Sequence, residues 1–154
     1  MPGYTENQIV IFRDADHVFE LTNRIDLWPK LFTEYQSAEV LSQDNNVITF
    51  RLTTFPEGER PSRTWTSVRT ILREENKAIA KRLDPAFPFE YMNIKWLYEP
   101  LPSNDGVIMT WIQEFNVHSE CQFTNEQMES FLNANTRKQM VSVKKNVENW
   151  QGVI

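Results

Sequence analysis

From Tyr35 to His118 the chain keeps to a period-two alternation of apolar and polar residues, and this constrains its fold more than any other feature. Strands are expected at Tyr35–Ser42, Val47–Phe55, Arg63–Arg73, Ala78–Leu83, Tyr91–Leu101 and Val107–His118. The breaks between them carry turn chemistry: Asp44-Asn45-Asn46, Pro56-Glu57-Gly58, Glu74-Glu75-Asn76, Pro85 to Pro88 and Ser103-Asn104-Asp105-Gly106. Connections this short join neighbours head to tail, so the strands form an antiparallel meander.

Two flanking regions complete the order of elements. Gln8–Arg13 is a β-branched run and a first strand. Asp14 then caps a helix over Ala15–Asn23, with Val18 and Leu21 turned inward. Arg24–Phe32 reads as a second short helix broken at Trp28-Pro29, because proline disfavours helical geometry in the residue before it. At the other end, Thr124 and Gln127 fit a capping box, with Phe123 and Met128 placed for a hydrophobic staple. No Pro or Gly follows until Gly152, so one long helix runs from Thr124 to Trp150. Its apolar stripe (Met128, Leu132, Met140, Val143, Val147, Trp150) is interrupted by Asn133, Asn135 and Thr136. Those polar residues either face solvent or overlook a cavity. The predicted fold class is α+β: a curved seven-stranded antiparallel sheet around a long C-terminal helix, with two short helices, in one domain over 1–154.

Composition narrows the function classes. A net charge of −5 argues against nucleic acid, whose phosphates demand a basic surface. One cysteine, Cys121, allows no internal disulfide, and with the absence of a long apolar run or a signal-like start it suggests a cytoplasmic protein with no membrane segment. The two histidines are scattered and build no metal site, His17 being expected at the surface and Cys121 inert. The four glycines form no phosphate-cradling loop.

Alternation sorts candidate site residues by face. Trp65, Ser67, Arg69 and Ile71 share one face of their strand, and Thr64, Thr66, Val68, Thr70 and Leu72 the other. Parity leaves two placements for Arg69: out in solvent, or inside an aromatic space where a charge needs partners, water or a ligand. Arg82 shares parity with Ala78 and Ala80, which leave volume, while Met92, Ile94, Trp96 and Tyr98 line one face of the next strand. Large rings beside small residues and isolated polar groups suit a pocket. Tyr35, beside Glu34, stands where the short helices with Trp28 and Phe32 meet the sheet.

Several segments then acquire a common meaning. Leu27-Trp28-Pro29-Lys30-Leu31-Phe32-Thr33-Glu34-Tyr35, Trp65-Thr66-Ser67-Val68-Arg69 and Pro88-Phe89-Glu90-Tyr91-Met92-Asn93-Ile94-Lys95-Trp96 resemble the aromatase/cyclases of bacterial type II polyketide synthases. So do Trp111-Ile112-Gln113-Glu114-Phe115 and Asn133-Ala134-Asn135-Thr136-Arg137, and the resemblance covers nearly the whole chain in order. It implies the helix-grip (START/Bet v1-like) fold with an internal cavity. It also implies a function: regiospecific first-ring aldol cyclisation, with dehydration and aromatisation, of a poly-β-ketone held on an acyl carrier protein. On the matching positions it implies Arg69, Tyr35 and Ser67 as catalytic residues, with Arg69 at a substrate carbonyl or enolate, Tyr35 a proton donor and Ser67 orienting an oxygen. Trp28, Phe32, Glu34, Trp65, Arg82, Met92, Trp96, Asn133 and Asn135 would bind substrate.

The resemblance implies no cofactor and no metal, and as partners a ketosynthase/chain-length factor and the carrier protein. The latter would be received on a basic patch of Lys30, Arg60 and Arg63. Monomer and weak homodimer both fit. The loops at Pro56–Ser62 and Asp84–Pro88 depart from the commoner family forms, so substrate length or carrier docking is expected to differ. A non-catalytic carrier of a hydrophobic ligand is the alternative, since this fold hosts many such proteins, and an accessory protein for the ketosynthase is a third.

Overall fold

The computed structural model describes residues 1–152. In chain order the elements are β1 (Gly3–Ile11), α1 (Ala15–Thr22), a 3-10 turn at Ile25–Leu27, α2 (Trp28–Leu31), β2 (Tyr35–Asp44), β3 (Val47–Thr54) and β4 (Thr64–Leu72). After a 3-10 turn at Arg73–Glu75 come β5 (Lys77–Arg82), β6 (Phe89–Pro100), β7 (Val107–Val117) and α3 (Asn125–Glu148). The strands form one antiparallel seven-stranded sheet in the order β1-β7-β6-β5-β4-β3-β2. β2 to β7 are therefore a continuous meander, and β1 joins its far edge. The turns use the chemistry expected of them: Asn45, Asn76 and Asn104 take positive φ (55°, 53° and 61°), which asparagine tolerates better than most residues.

Three expectations need correction here. The first strand begins at Gly3 rather than Gln8, because its inward face is Gly3, Thr5 and Asn7 and carries no apolar alternation to read. Gly3 lies against the Phe115 ring, and polar contacts bury the other two: Thr5 Oγ1 donates to Gln113 Oε1 (2.8 Å), and Asn7 Nδ2 donates to Asn133 Oδ1 (2.9 Å) while its Oδ1 accepts from Arg137 Nε (3.0 Å). Trp28 is not expelled from helical geometry, since it has φ −56° and ψ −35° and itself opens α2. Pro29 follows in the first turn, where its missing N–H would have had no partner anyway. Trp150 lies past the end of α3, although its ring still packs against the core.

The capping box of Thr124 and Gln127 is present: Gln127 N–H donates to Thr124 Oγ1 (3.1 Å), and Thr124 N–H to Gln127 Oε1 (2.9 Å). Phe123 does not bury itself as a staple but remains 56% exposed. At the far end Arg13 caps the helix, its guanidinium donating to the carbonyls of Val147 (2.9 Å) and Trp150 (2.6 Å).

Side chains of α3 also hold the α2–β2 connection. Ser142 Oγ and Asn146 Nδ2 both donate to Leu31 O, at 2.9 and 3.0 Å. Gln139 accepts from Thr33 N–H (2.9 Å) and donates to Thr33 Oγ1 (2.8 Å). The apolar core is split in two. Met140, Val143 and Val147 pack with Ile11, Val18, Leu21 and the indoles, whereas Met128 and Leu132 pack with Ala86, Phe89, Met92 and Phe115. Asn135, Thr136 and Gln139 lie on the helix between these clusters. That division leaves room for a cavity.

Candidate active site

The cavity has a volume of about 900 Å³ and lies between the sheet and α3. This is within the range of small-molecule sites. Its inner end is walled by indoles: Trp28 stacks on Trp96 (centroids 5.5 Å apart, planes 15°), and Trp96 on Trp111 (4.5 Å, 3°). Trp28 is fixed by a hydrogen bond from its Nε1 to Thr22 O (3.1 Å), and its ring also meets Phe32, Tyr35 and Phe50.

Arg69 sits against this wall and is 1% exposed, so the inward placement is the observed one. The same strand turns Ser67, also buried, and Trp65 into the cavity. The Arg69 guanidinium lies 4.1 Å from the Trp96 ring centroid and 5.4 Å from that of Trp28. Its Nε donates to Asn23 Oδ1 (2.9 Å), and its Nη2 is buried without a partner. No carboxylate pairs with it among the described residues. Burial lowers its pKa from the usual arginine value, opposed by the Tyr98 phenol. A cation buried among neutral groups is expensive to maintain, and it attracts any negative charge that enters.

Tyr35 lines the same cavity. Burial, and then the adjacent Glu34 carboxylate, push its phenol well above the usual tyrosine value, so it remains protonated at neutral pH. Glu34 is tied across to the long helix, its Oε2 accepting from Asn135 Nδ2 (3.0 Å). Arg82 lies over Trp65 (4.0 Å) and Phe89 (5.0 Å), with its Nε unpartnered. Although only part of its side chain is shielded from solvent, burial of the guanidinium draws its pKa down to about 10. Arg69, Arg82, the Tyr35 phenol and the Ser67 hydroxyl thus share an aromatic chamber.

The comparisons with known proteins agree on what kind of chain this is. Residues 11–140 match the family described as "Polyketide cyclase / dehydrase and lipid transport". A protein of Streptomyces cyaneus named "Putative polyketide cyclase" is 40% identical over 148 residues, covering 96% of this chain and 95% of the relative. One of the same name from Streptomyces halstedii is 42% identical over 112 residues, covering 73% of this chain and 100% of the relative. The chain belongs to the polyketide cyclase/dehydrase family.

Solved structures show the same fold. The Zhui aromatase/cyclase of a Streptomyces species superposes with TM-score 0.85 at 18% identity, covering 96% of this chain and 94% of that one. A START superfamily protein of Mycobacterium smegmatis gives 0.75 at 11%, covering 94% and 97%. The curved sheet around a long helix expected from the order of elements, and the helix-grip fold that the resemblance implies, are the architecture observed.

Within this cyclase-family cavity the expected residues fall into two groups. Trp28, Phe32, Glu34, Tyr35, Trp65, Ser67, Arg69, Arg82, Trp96 and Asn135 all line it. Met92 and Asn133 do not. Met92 has the parity of Trp96 but lies four residues earlier on β6, within the second apolar cluster. Asn133 points to the β1 side of α3 and accepts from Asn7. Of the basic patch, Arg60 and Arg63 line the entrance, whereas Lys30 lies exposed on α2 away from it. His17 is half-buried rather than at the surface, with its Nε2 enclosed.

Several residues of the site are not among those expected from the sequence. Trp111 and Gln113 line the cavity from β7 and share parity with the buried Phe115, a signal that was available. Gln139 lies one turn beyond Asn135 on the same side of the helix. Asn23, at the end of α1, contacts Arg69 across 46 residues of sequence, and nothing local announces it.

Proposed function

We propose that this chain is an aromatase/cyclase of aromatic polyketide assembly. It folds a poly-β-ketone delivered on an acyl carrier protein and directs closure of the first ring, with loss of water. The observation that carries this reading is Arg69: a cation at the indole wall of a large cavity, without a carboxylate partner, and with one N–H-bearing nitrogen unpaired. The names of the relatives support the same chemistry.

In the aldol step a carbon–hydrogen bond beside a ketone breaks, its proton passing to water that later returns one to Tyr35, and the resulting enolate carbon bonds to a second ketone carbon. The electron pair of that C=O moves to oxygen. The Arg69 guanidinium suits the oxygen that bears the charge, as a planar donor that stays positive through the reaction. Tyr35, kept protonated by its surroundings, would deliver the proton that turns the new alkoxide into a hydroxyl. Loss of that hydroxyl with an adjacent hydrogen, as water, gives the double bond from which aromatisation proceeds. Ser67 orients an oxygen beside Arg69 on the same strand, and Arg82 anchors the chain nearer the entrance. The indole wall and Phe32 limit how the chain bends.

The apolar lining and the START-like fold also suit a non-catalytic carrier of a hydrophobic ligand. Arg69→Ala separates the two readings. In a reconstituted pathway it shifts products toward spontaneous cyclisation shunts while the protein stays folded. A product profile identical to that of the unmodified chain would overturn the role of Arg69 and favour the carrier.

A further inference from the structure

The hydrogen bonds around Arg69 have only one consistent set of directions. Thr22 Oγ1 lies 2.7 Å from Val18 O, which can only accept, so the single Thr22 hydroxyl proton is given there. The contact of Thr22 Oγ1 with Tyr98 Oη (2.8 Å) must then be donated by Tyr98. Tyr98, with its proton used, accepts from Asn23 Nδ2 (3.3 Å). The other Asn23 Nδ2 proton goes to Phe19 O (2.9 Å), again an obligatory acceptor. The amide is therefore locked with Oδ1 toward Arg69, where it receives the Nε proton at 2.9 Å. Every group in this relay is neutral: the charged guanidinium is held in place without being neutralised.

An aspartate at the same position would match the shape and meet the guanidinium with a full negative charge. Its second oxygen would also face Phe19 O, so the present lock demands the amide. The titratable groups influencing Arg69 are the Tyr98 phenol from β6 and the Tyr35 phenol from β2. Glu34 is held by Asn135, across the cavity on α3.

We infer that Asn23 is a positioning residue that aims Arg69 into the cavity while leaving its positive charge uncancelled, so that the site selects a ligand bearing an anionic oxygen, an enolate or a phenolate. This deepens the cyclase reading and rests on it for the identity of the natural ligand, though the charge preference itself can be measured without any polyketide. A purely structural asparagine would serve equally well with any neutral or acidic substitute that folds. A charge-sparing one would not.

The test is a pH titration of 4-nitro-1-naphthol, a bicyclic phenol whose phenolate absorbs at longer wavelength, free and bound to the purified chain. Bound to the unmodified chain, its ionisation midpoint falls below that of the free dye. Asn23→Asp raises the bound midpoint by at least about one unit, a tenfold loss of phenolate preference. Asn23→Ser is too short to hold Arg69; it weakens dye binding but keeps the midpoint depressed, because the charge is still uncancelled. If Asn23→Asp does not fold, Asn23→Ser decides alone, and a midpoint returned to the free-dye value overturns the inference. It is equally overturned if both variants shift the midpoint alike, if Asn23→Asp leaves it unchanged, or if the unmodified chain shows no phenolate preference. Failure to produce a new ring in a reconstituted pathway, with the dye results as expected, would remove the cyclase reading and leave Asn23 in its role.

Discussion

Replacing Arg69 by methionine should leave the protein at least as stable as before while removing its function. Methionine fills similar space and can rest against Trp96 and Trp28. The change relieves the burial of a charge, which costs several kcal/mol, here taken as about 5. It forfeits the charge-assisted bond to Asn23, about 2 kcal/mol, and the attraction of the indole faces for a cation, about 2 kcal/mol. The balance is about 1 kcal/mol in favour of Arg69→Met, or a Tm higher by roughly 2–4 °C for a chain of this size. Thermal melting followed by tryptophan fluorescence, without ligand at neutral pH, measures it. A Tm lowered by about 4 °C or more would refute the reasoning, because Arg69 would then be a net stabilising part of the fold rather than a charge kept for a ligand.

Two further perturbations test other parts of the account. Burial, and then nearby Arg13, lower the pKa of His17 below the usual histidine value. The unfolded chain therefore binds a proton at a higher pH than the folded one: this contribution to stability is complete above pH about 6.5 and is lost as pH falls through the folded value. Urea midpoints measured from pH 8 to 5 should fall less steeply for His17→Gln than for the unmodified chain; parallel curves would refute this. Gln139→Leu removes both bonds to Thr33, at about 1 kcal/mol each, and should lower Tm by roughly 4–8 °C. It should also weaken binding in the cavity, because Thr33 adjoins Phe32, Glu34 and Tyr35. An unchanged Tm would mean that the long helix does not hold this connection.

The meander and the long helix were legible because each rests on a periodicity repeated many times, and no boundary within them moved by more than two residues. β1 is half hidden because Thr5 and Asn7 on its inner face are buried by hydrogen bonds to Gln113, Asn133 and Arg137, and Gly3 has no side chain to read. For the site, parity assigned a face to each residue but not a depth along the strand. Trp96 and Met92 share a face of β6, yet Met92 is packed within the cluster of Ala86, Phe89 and Phe115 and does not line the cavity that Phe89, Ile94 and Trp96 reach. On α3 the relevant geometry was present in the sequence: at 100° per residue Asn133 lies about 160° round the helix from Asn135, so the two could not both face the cavity. The link from Asn23 to Arg69 joins the end of α1 to the middle of β4 and exists only in three dimensions.

The central claim is that this cavity decides which ring forms. The most direct measurement reconstitutes a minimal ketosynthase, chain-length factor and acyl carrier protein, and compares the polyketide products with and without this chain by mass spectrometry and NMR. With the chain present, a new aromatic product with a single first-ring regiochemistry is expected in place of the mixture of spontaneous shunts. The same shunt mixture in both reactions would contradict it.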